Sequence, residues 1–284
     1  MKGILVIVLI ISLLGNVIGL FFAYKAYKLS KDADFVRYRL GERQGVINTL
    51  SNRFDKQLLF IHHSVGRIWL GSGELRSALM ANGIGVKDAT RGDEIGESTD
   101  MSDWIPKFTE QFDKVLKFEG NPNVYYKDAR QNDIIMFKSC FPNSNIIAEG
   151  EAPGNANDKT MTVWNFKAIM NELKGVFQRH PQKTFIYVTS PPLAQFETNA
   201  DNAKRARQFA DWVKTEYLRD YGAQTGLKNL LIFDFYDILA DSDNMLKKEY
   251  MSRENDSHPN VAGCKIATDA FISFLAANGV IQGK

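Results

Sequence analysis

Hydrophobic residues along the chain fall into three kinds of pattern. The first is an unbroken apolar stretch, Ile4 to Tyr24, relieved only by Ser12, Gly15, Asn16 and Gly19. About 20 such residues match the hydrocarbon thickness of a bilayer, whereas a signal-peptide core runs to about 7–15. One transmembrane helix is predicted, with residues 1–27 as a membrane anchor. The second pattern is a set of short apolar runs without alternation: Leu58–Ile61, Gly83–Val86, Asp133–Phe137, Thr184–Val188 and Leu230–Phe235. Runs of this length rich in β-branched and aromatic residues predict strands covered on both faces. The third is helical spacing over Gly71–Met80, Thr160–Gln178, Asp201–Asp220 and Asn260–Asn278. Strands that alternate with helices predict a mostly parallel sheet with helices on both faces, an α/β domain over residues 57–284. Residues 28–56, polar and mixed in charge, read as a juxtamembrane helix or linker.

Composition narrows the function classes. A net charge of +2 on 284 residues, with no basic tract interleaved with aromatics, gives no reason to expect a nucleic-acid partner. Two cysteines, Cys140 and Cys264, exclude a disulfide scaffold and a cysteine-rich zinc site, and one bridge between them stays open. Lys25, Lys28, Lys31, Arg37 and Arg39 follow the apolar stretch, and a positive-inside count puts the domain in the cytoplasm. Short amino-terminal anchors on exported enzymes favour the opposite side, so a domain outside the cytoplasm is expected against the charge rule.

The chemistry concentrates in two stretches. In QLLFIHHSVG, the first strand breaks into His62, His63 and Ser64, at the edge where open α/β sheets bind ligands. In NDSHPN, Asp256 stands two residues before His258, and Pro259 biases His258 toward an extended conformation. A serine hydroxyl needs a base, and with four histidines in the chain His258 is the best candidate. In an extended segment, positions two apart face one side, so Asp256 could hold Nδ1 and leave Nε2 toward Ser64, with Glu254 and Asn255 as alternatives for that orienting role. His62 and His63 alternate across the strand end, so one of the two is expected to meet substrate. A metal site built from His63, His258 and Asp256 lacks the spacing of a known metal motif, and no metal or cofactor is expected.

The order of these parts, a serine after the first strand and an acid with His-Pro-Asn before the last helix, resembles the SGNH hydrolase superfamily, the GDSL-like esterases. The resemblance spans roughly Gln57 to Asn278 and rests on few, short motifs. It implies a three-layer α/β/α flavodoxin-like domain that cleaves carboxylic esters, including acetyl groups on carbohydrates and acyl chains on lipids. It places the nucleophile on Ser64, with His62 and His63 where the family has Gly-Asp, and the base on His258. The family acid most often falls where Asn255 stands; the Asp256 spacing is nearer to that of relatives in polysaccharide O-acetylation. It also implies an oxyanion hole from the Ser64 amide, a glycine at Gly92 or Gly96, and Asn143, with Ser139 and Asn145 as competitors, although KSCFPNSN replaces the usual Gly-x-Asn-Asp. His63, His62 and Ser139 are the expected substrate contacts. The function so implied is hydrolysis of an ester, with an O-acetyl group on a carbohydrate as the expected substrate. The alternatives are a polysaccharide O-acetyltransferase and a noncatalytic glycan-binding or assembly protein.

Overall fold

The computed structural model describes residues 53–282. The expected membrane anchor and nearly all of the juxtamembrane segment lie outside the described residues. Among the described residues no helix is long and apolar enough to cross a membrane.

Five strands, β1 (Lys56–Ile61), β2 (Ile84–Ala89), β3 (Ile134–Phe137), β4 (Thr184–Val188) and β5 (Leu230–Phe233), pair in parallel in the order 2-1-3-4-5. That is the flavodoxin-like order, whose topological switch lies between β1 and β3. Side-chain alternation sorts the strands into two cores. Leu59, Ile61, Ile135, Phe137, Phe185 and Tyr187 face one helix layer. Leu58, Phe60, Met136, Ile186 and Val188 face the other.

The second layer contains α1 (Ser64–Leu70), α2 (Leu75–Ala81), and two helices late in the chain, α8 (Phe235–Leu239) and α9 (Val261–Ala277). Trp69 anchors α1 there. Its ring stacks on Phe233 at 5.7 Å and meets Phe271 edge-on at 5.4 Å, and Nε1 donates to Thr268 Oγ1 at 3.0 Å. The first layer contains α3 (Trp104–Thr109), α4 (Phe112–Lys117), α5 (Val163–Arg179), α6 (Ala200–Trp212) and α7 (Leu218–Thr225).

Several boundaries differ from those predicted. The segment predicted as one helix from Asp201 to Asp220 passes through a stretch of π-type turns, Val213–Tyr217, between α6 and α7. The strand predicted to reach Phe235 ends at Phe233, because the Asp234 side chain accepts the Asp237 amide and starts α8. The helix predicted from Gly71 begins only at Leu75. The strand predicted to end at Val86 continues through Lys87 and Asp88 to Ala89, since the buried Asp88 is paired with Arg76. A small hairpin, Phe118–Gly120 with Val124–Tyr125, lies between α4 and β3.

Candidate active site

β1 delivers its last residues to the carboxyl edge of the sheet at the switch point. His63 is the extended N-cap of α1 (φ −116°), and its carbonyl accepts the Arg67 amide at 3.1 Å. Ser64 is therefore the first helical residue, and the amides of the first turn have no acceptor within the helix. The loop before α9 comes over this point. Met251 bridges to Pro259, the Ser252 amide donates to the His258 carbonyl at 2.9 Å, and Asn260 caps α9 by accepting the Gly263 amide at 3.0 Å. Ser257, 1% exposed, fastens the loop from below by accepting the Ala194 amide at 2.9 Å and donating to Glu197.

Ser64, His258 and Asp256 are brought into one line. His258 Nδ1 lies 2.6 Å from Asp256 Oδ1, and His258 Nε2 lies 2.7 Å from Ser64 Oγ. A carboxylate only accepts, so Nδ1 carries the ring proton and Nε2 is left to accept the Ser64 hydroxyl. Burial alone would raise the Asp256 pKa. Hydrogen bonds from the His258 backbone, the His258 ring and Ser252 outweigh it and hold the carboxyl below its ordinary value. Phe141 meets the imidazole edge-on at 4.9 Å, and Cys140 Sγ stands 3.7 Å from Ser64 Oγ. Neither of these two contacts is foreseen from the sequence. Their only signal was position, directly after β3 across the switch point. Two residues before Cys140, the wholly buried Lys138 turns Nζ onto the Ser139 carbonyl at 2.9 Å and fixes this segment.

Other expected site residues have other duties. His62 is wholly buried, which corrects its assignment as a substrate contact. Alternation turns it to the α1 side, where Nδ1 donates to the His63 carbonyl at 2.7 Å and Nε2 lies 3.6 Å from Asp88 Oδ2. Burial lowers its pKa against the pull of Asp88, so the ring is neutral at pH 7. His63 Nε2 donates to the carbonyls of Gly96 at 2.9 Å and Glu97 at 3.1 Å, holding the loop after β2. Ser139 is wholly buried and accepts the Trp104 indole at 2.8 Å, so it too is a structural contact rather than a substrate contact.

The oxyanion donors expected beyond Ser64 are likewise engaged. Asn143 donates to Asp100 at 2.8 Å and accepts the Met101 amide at 2.9 Å, so it braces that turn. Asn145 accepts from Asn202 at 2.8 Å. The Gly92 amide donates to Glu97 at 2.8 Å and the Gly96 amide to the Asp93 carbonyl at 2.9 Å. Gly96 is required by close approach, since a Cβ there would stand 2.3 Å from the Thr90 nitrogen. Glu254 and Asn255 are exposed, and Asn255 takes a positive φ of 59° that turns the chain into Asp256. Asp256, not either alternative, meets the imidazole.

No protein-family model matches the chain, and no curated protein matches it. Solved structures do. The chain is similar to a lipolytic-type protein of the G-D-S-L family from Desulfitobacterium hafniense, at 14% identity over 78% of this chain and 100% of that one, with a TM-score of 0.42. It is similar to a GDSL-like lipase from Bacteroides thetaiotaomicron at 10% identity, over 79% of this chain and 88% of that one, TM-score 0.43. A salicylyl-acyltransferase from a tetracycline biosynthetic pathway is similar at 15% identity, over 81% of this chain and 57% of that one, TM-score 0.41.

Proposed function

We propose that the chain is a divergent SGNH-type serine hydrolase that cleaves a carboxylic ester. The observation that carries this reading is the continuous relay from Asp256 through His258 to Ser64, with heavy-atom separations of 2.6 and 2.7 Å. Both separations fall within the reach that proton transfer requires. His258 Nε2 takes the Ser64 proton as Oγ attacks the ester carbonyl, and Asp256 stabilises the imidazolium that results. The Ser64 amide, at the start of α1, donates to the developing oxyanion in this mechanism. His258 then protonates the departing alcohol. Water, deprotonated by the same nitrogen, attacks the acyl-Ser64 ester, and the proton returns to Oγ as the acid leaves.

An O-acetyl group on a carbohydrate is the proposed substrate, and the apolar stretch Ile4–Tyr24 would tether the enzyme to a membrane with the domain outside the cytoplasm. The chemistry of the site suits transfer to a sugar hydroxyl in place of water equally, since both acceptors lose a proton to His258.

The test is covalent labelling of the full chain with a fluorophosphonate, read by intact mass and peptide mapping. Labelling at Ser64, lost in Ser64→Ala and sharply reduced in His258→Ala, is expected. A folded protein that neither labels nor hydrolyses 4-nitrophenyl acetate would leave the fold to a noncatalytic role. Incubation with an acetyl ester and an oligosaccharide then separates release to water from transfer.

A further inference from the structure

The 251–259 loop has a second face. It walls a groove of about 710 Å³, between the loop after β4 and the segment that follows α8. This volume lies in the usual range of small-molecule sites, about 300–1,000 Å³. Arg253, Glu254 and Asn255 form the wall, directly before Asp256, and Arg253 Nε approaches Asp256 Oδ2 to 3.8 Å. Groove and relay thus share one short piece of backbone.

The lining tells what the groove would hold. Met245, Leu246 and Met251 supply an apolar floor, and beside them Phe196 is 45% exposed. Its ring offers an apolar face within the groove. The same lining holds the carboxylates of Asp241, Asp243 and Glu254 and the amide of Gln195, and Lys248 and Arg253 bring positive charge to it. A long acyl chain would strand these charged groups in apolar surroundings, which is costly. A polyanion would meet three carboxylates, Asp241, Asp243 and Glu254. A polyhydroxylated uncharged ring satisfies both kinds of lining, laying its C–H face on Phe196 and turning its hydroxyls to carboxylates and amides.

We infer that this groove is a binding subsite for the polar, uncharged, sugar-like part of the substrate, the portion that does not react. The inference rests on the ester-hydrolase reading for its place in the reaction. The groove itself is measurable without that reading. It makes Phe196 the platform and Glu254 a hydroxyl acceptor, and it lets a seated ligand press on the loop that carries Asp256 and His258.

The experiment is calorimetric titration of the full-length Ser64→Ala protein in a sugar-free detergent, with cellohexaose, chitohexaose, hexagalacturonate and octanoate as probes. Binding of a neutral oligosaccharide is expected, weakened roughly tenfold by Phe196→Ala and by Glu254→Gln, with hexagalacturonate and octanoate weaker. Gln195→Ala serves if either variant fails to fold by its thermal transition. Absence of neutral-oligosaccharide binding, preference for octanoate or hexagalacturonate, or an affinity untouched by the substitutions overturns the subsite. Fluorophosphonate labelling of the unsubstituted protein is read in parallel. Binding without labelling removes the serine mechanism and leaves the groove, and labelling without binding does the reverse.

Discussion

Asp256 Oδ1 accepts twice from His258, from the backbone amide at 2.9 Å and from ring Nδ1 at 2.6 Å. The first of these bonds closes a turn of the kind in which an aspartate side chain stands in for backbone. The second fixes the tautomer. One oxygen thus shapes the loop and orients the imidazole, which is why a spacing of two residues suffices.

Asp256→Asn separates the two duties. The amide oxygen can still accept the backbone bond, so the loop should keep its shape and the thermal transition should move little. The neutral side chain cannot stabilise an imidazolium and allows the wrong tautomer. Turnover of 4-nitrophenyl acetate should fall by roughly 10⁴-fold, checked by steady-state rates beside an unfolding curve.

Gly66 lies against the ring of His62, and a Cβ added there would stand 2.4 Å from its Cγ. Gly66→Ala should cost about 1–3 kcal/mol by overpacking and displace the first turn of α1, reducing fluorophosphonate labelling of Ser64. His62→Ala combined with Gly66→Ala opens the space and should recover part of the loss. Denaturant unfolding of the single and double variants measures the coupling.

Asp93, 1% exposed, holds the loop after β2 by accepting the Thr90 amide at 3.1 Å and an amide hydrogen of Asn121. Burial raises its pKa to about 6 despite these bonds. A carboxyl whose folded pKa lies above its unfolded value favours folding at low pH and loses that contribution as pH rises through the folded value. Thermal stability should therefore decline between pH 3.8 and about 6 through this group, and Asp93→Asn should flatten that part of the profile. Asp256 acts in the opposite sense and lower down, since its depressed pKa withdraws stability only as pH falls below the ordinary carboxyl range.

Trp69→Ala removes the ring packed among Phe60, Phe233, Phe235 and Phe271. A loss of about 3–5 kcal/mol is expected from denaturant unfolding. Because α1 carries Ser64, a folded remnant should also label more slowly.

The parallel sheet and the residues of the relay were legible in the sequence because they depend on local pattern: apolar runs of strand length, and Asp and His two apart before an N-cap asparagine. The geometry that joins them was read for another reason, since the loop is an aspartate-closed turn and not an extended strand. α3 went unassigned, as Pro106 falls in its first turn, where proline is tolerated but reads as a breaker. The duties of His62, Ser139, Asn143 and Gly92 could not be read at all. Each depends on a partner distant in sequence or on a loop turn, Asp88, Trp104, Asp100 and Glu97 respectively, and nothing in the local pattern names it.

Ser64 and His258 are 194 positions apart. During synthesis Ser64 leaves the ribosome long before His258 exists, and β2 to β5 are all made in between. A nascent or interrupted chain therefore carries an inert alcohol. Under the proposed mechanism reactivity arrives only when the segment before α9 docks, so appearance of probe labelling in a refolding experiment would time the closure of the whole domain.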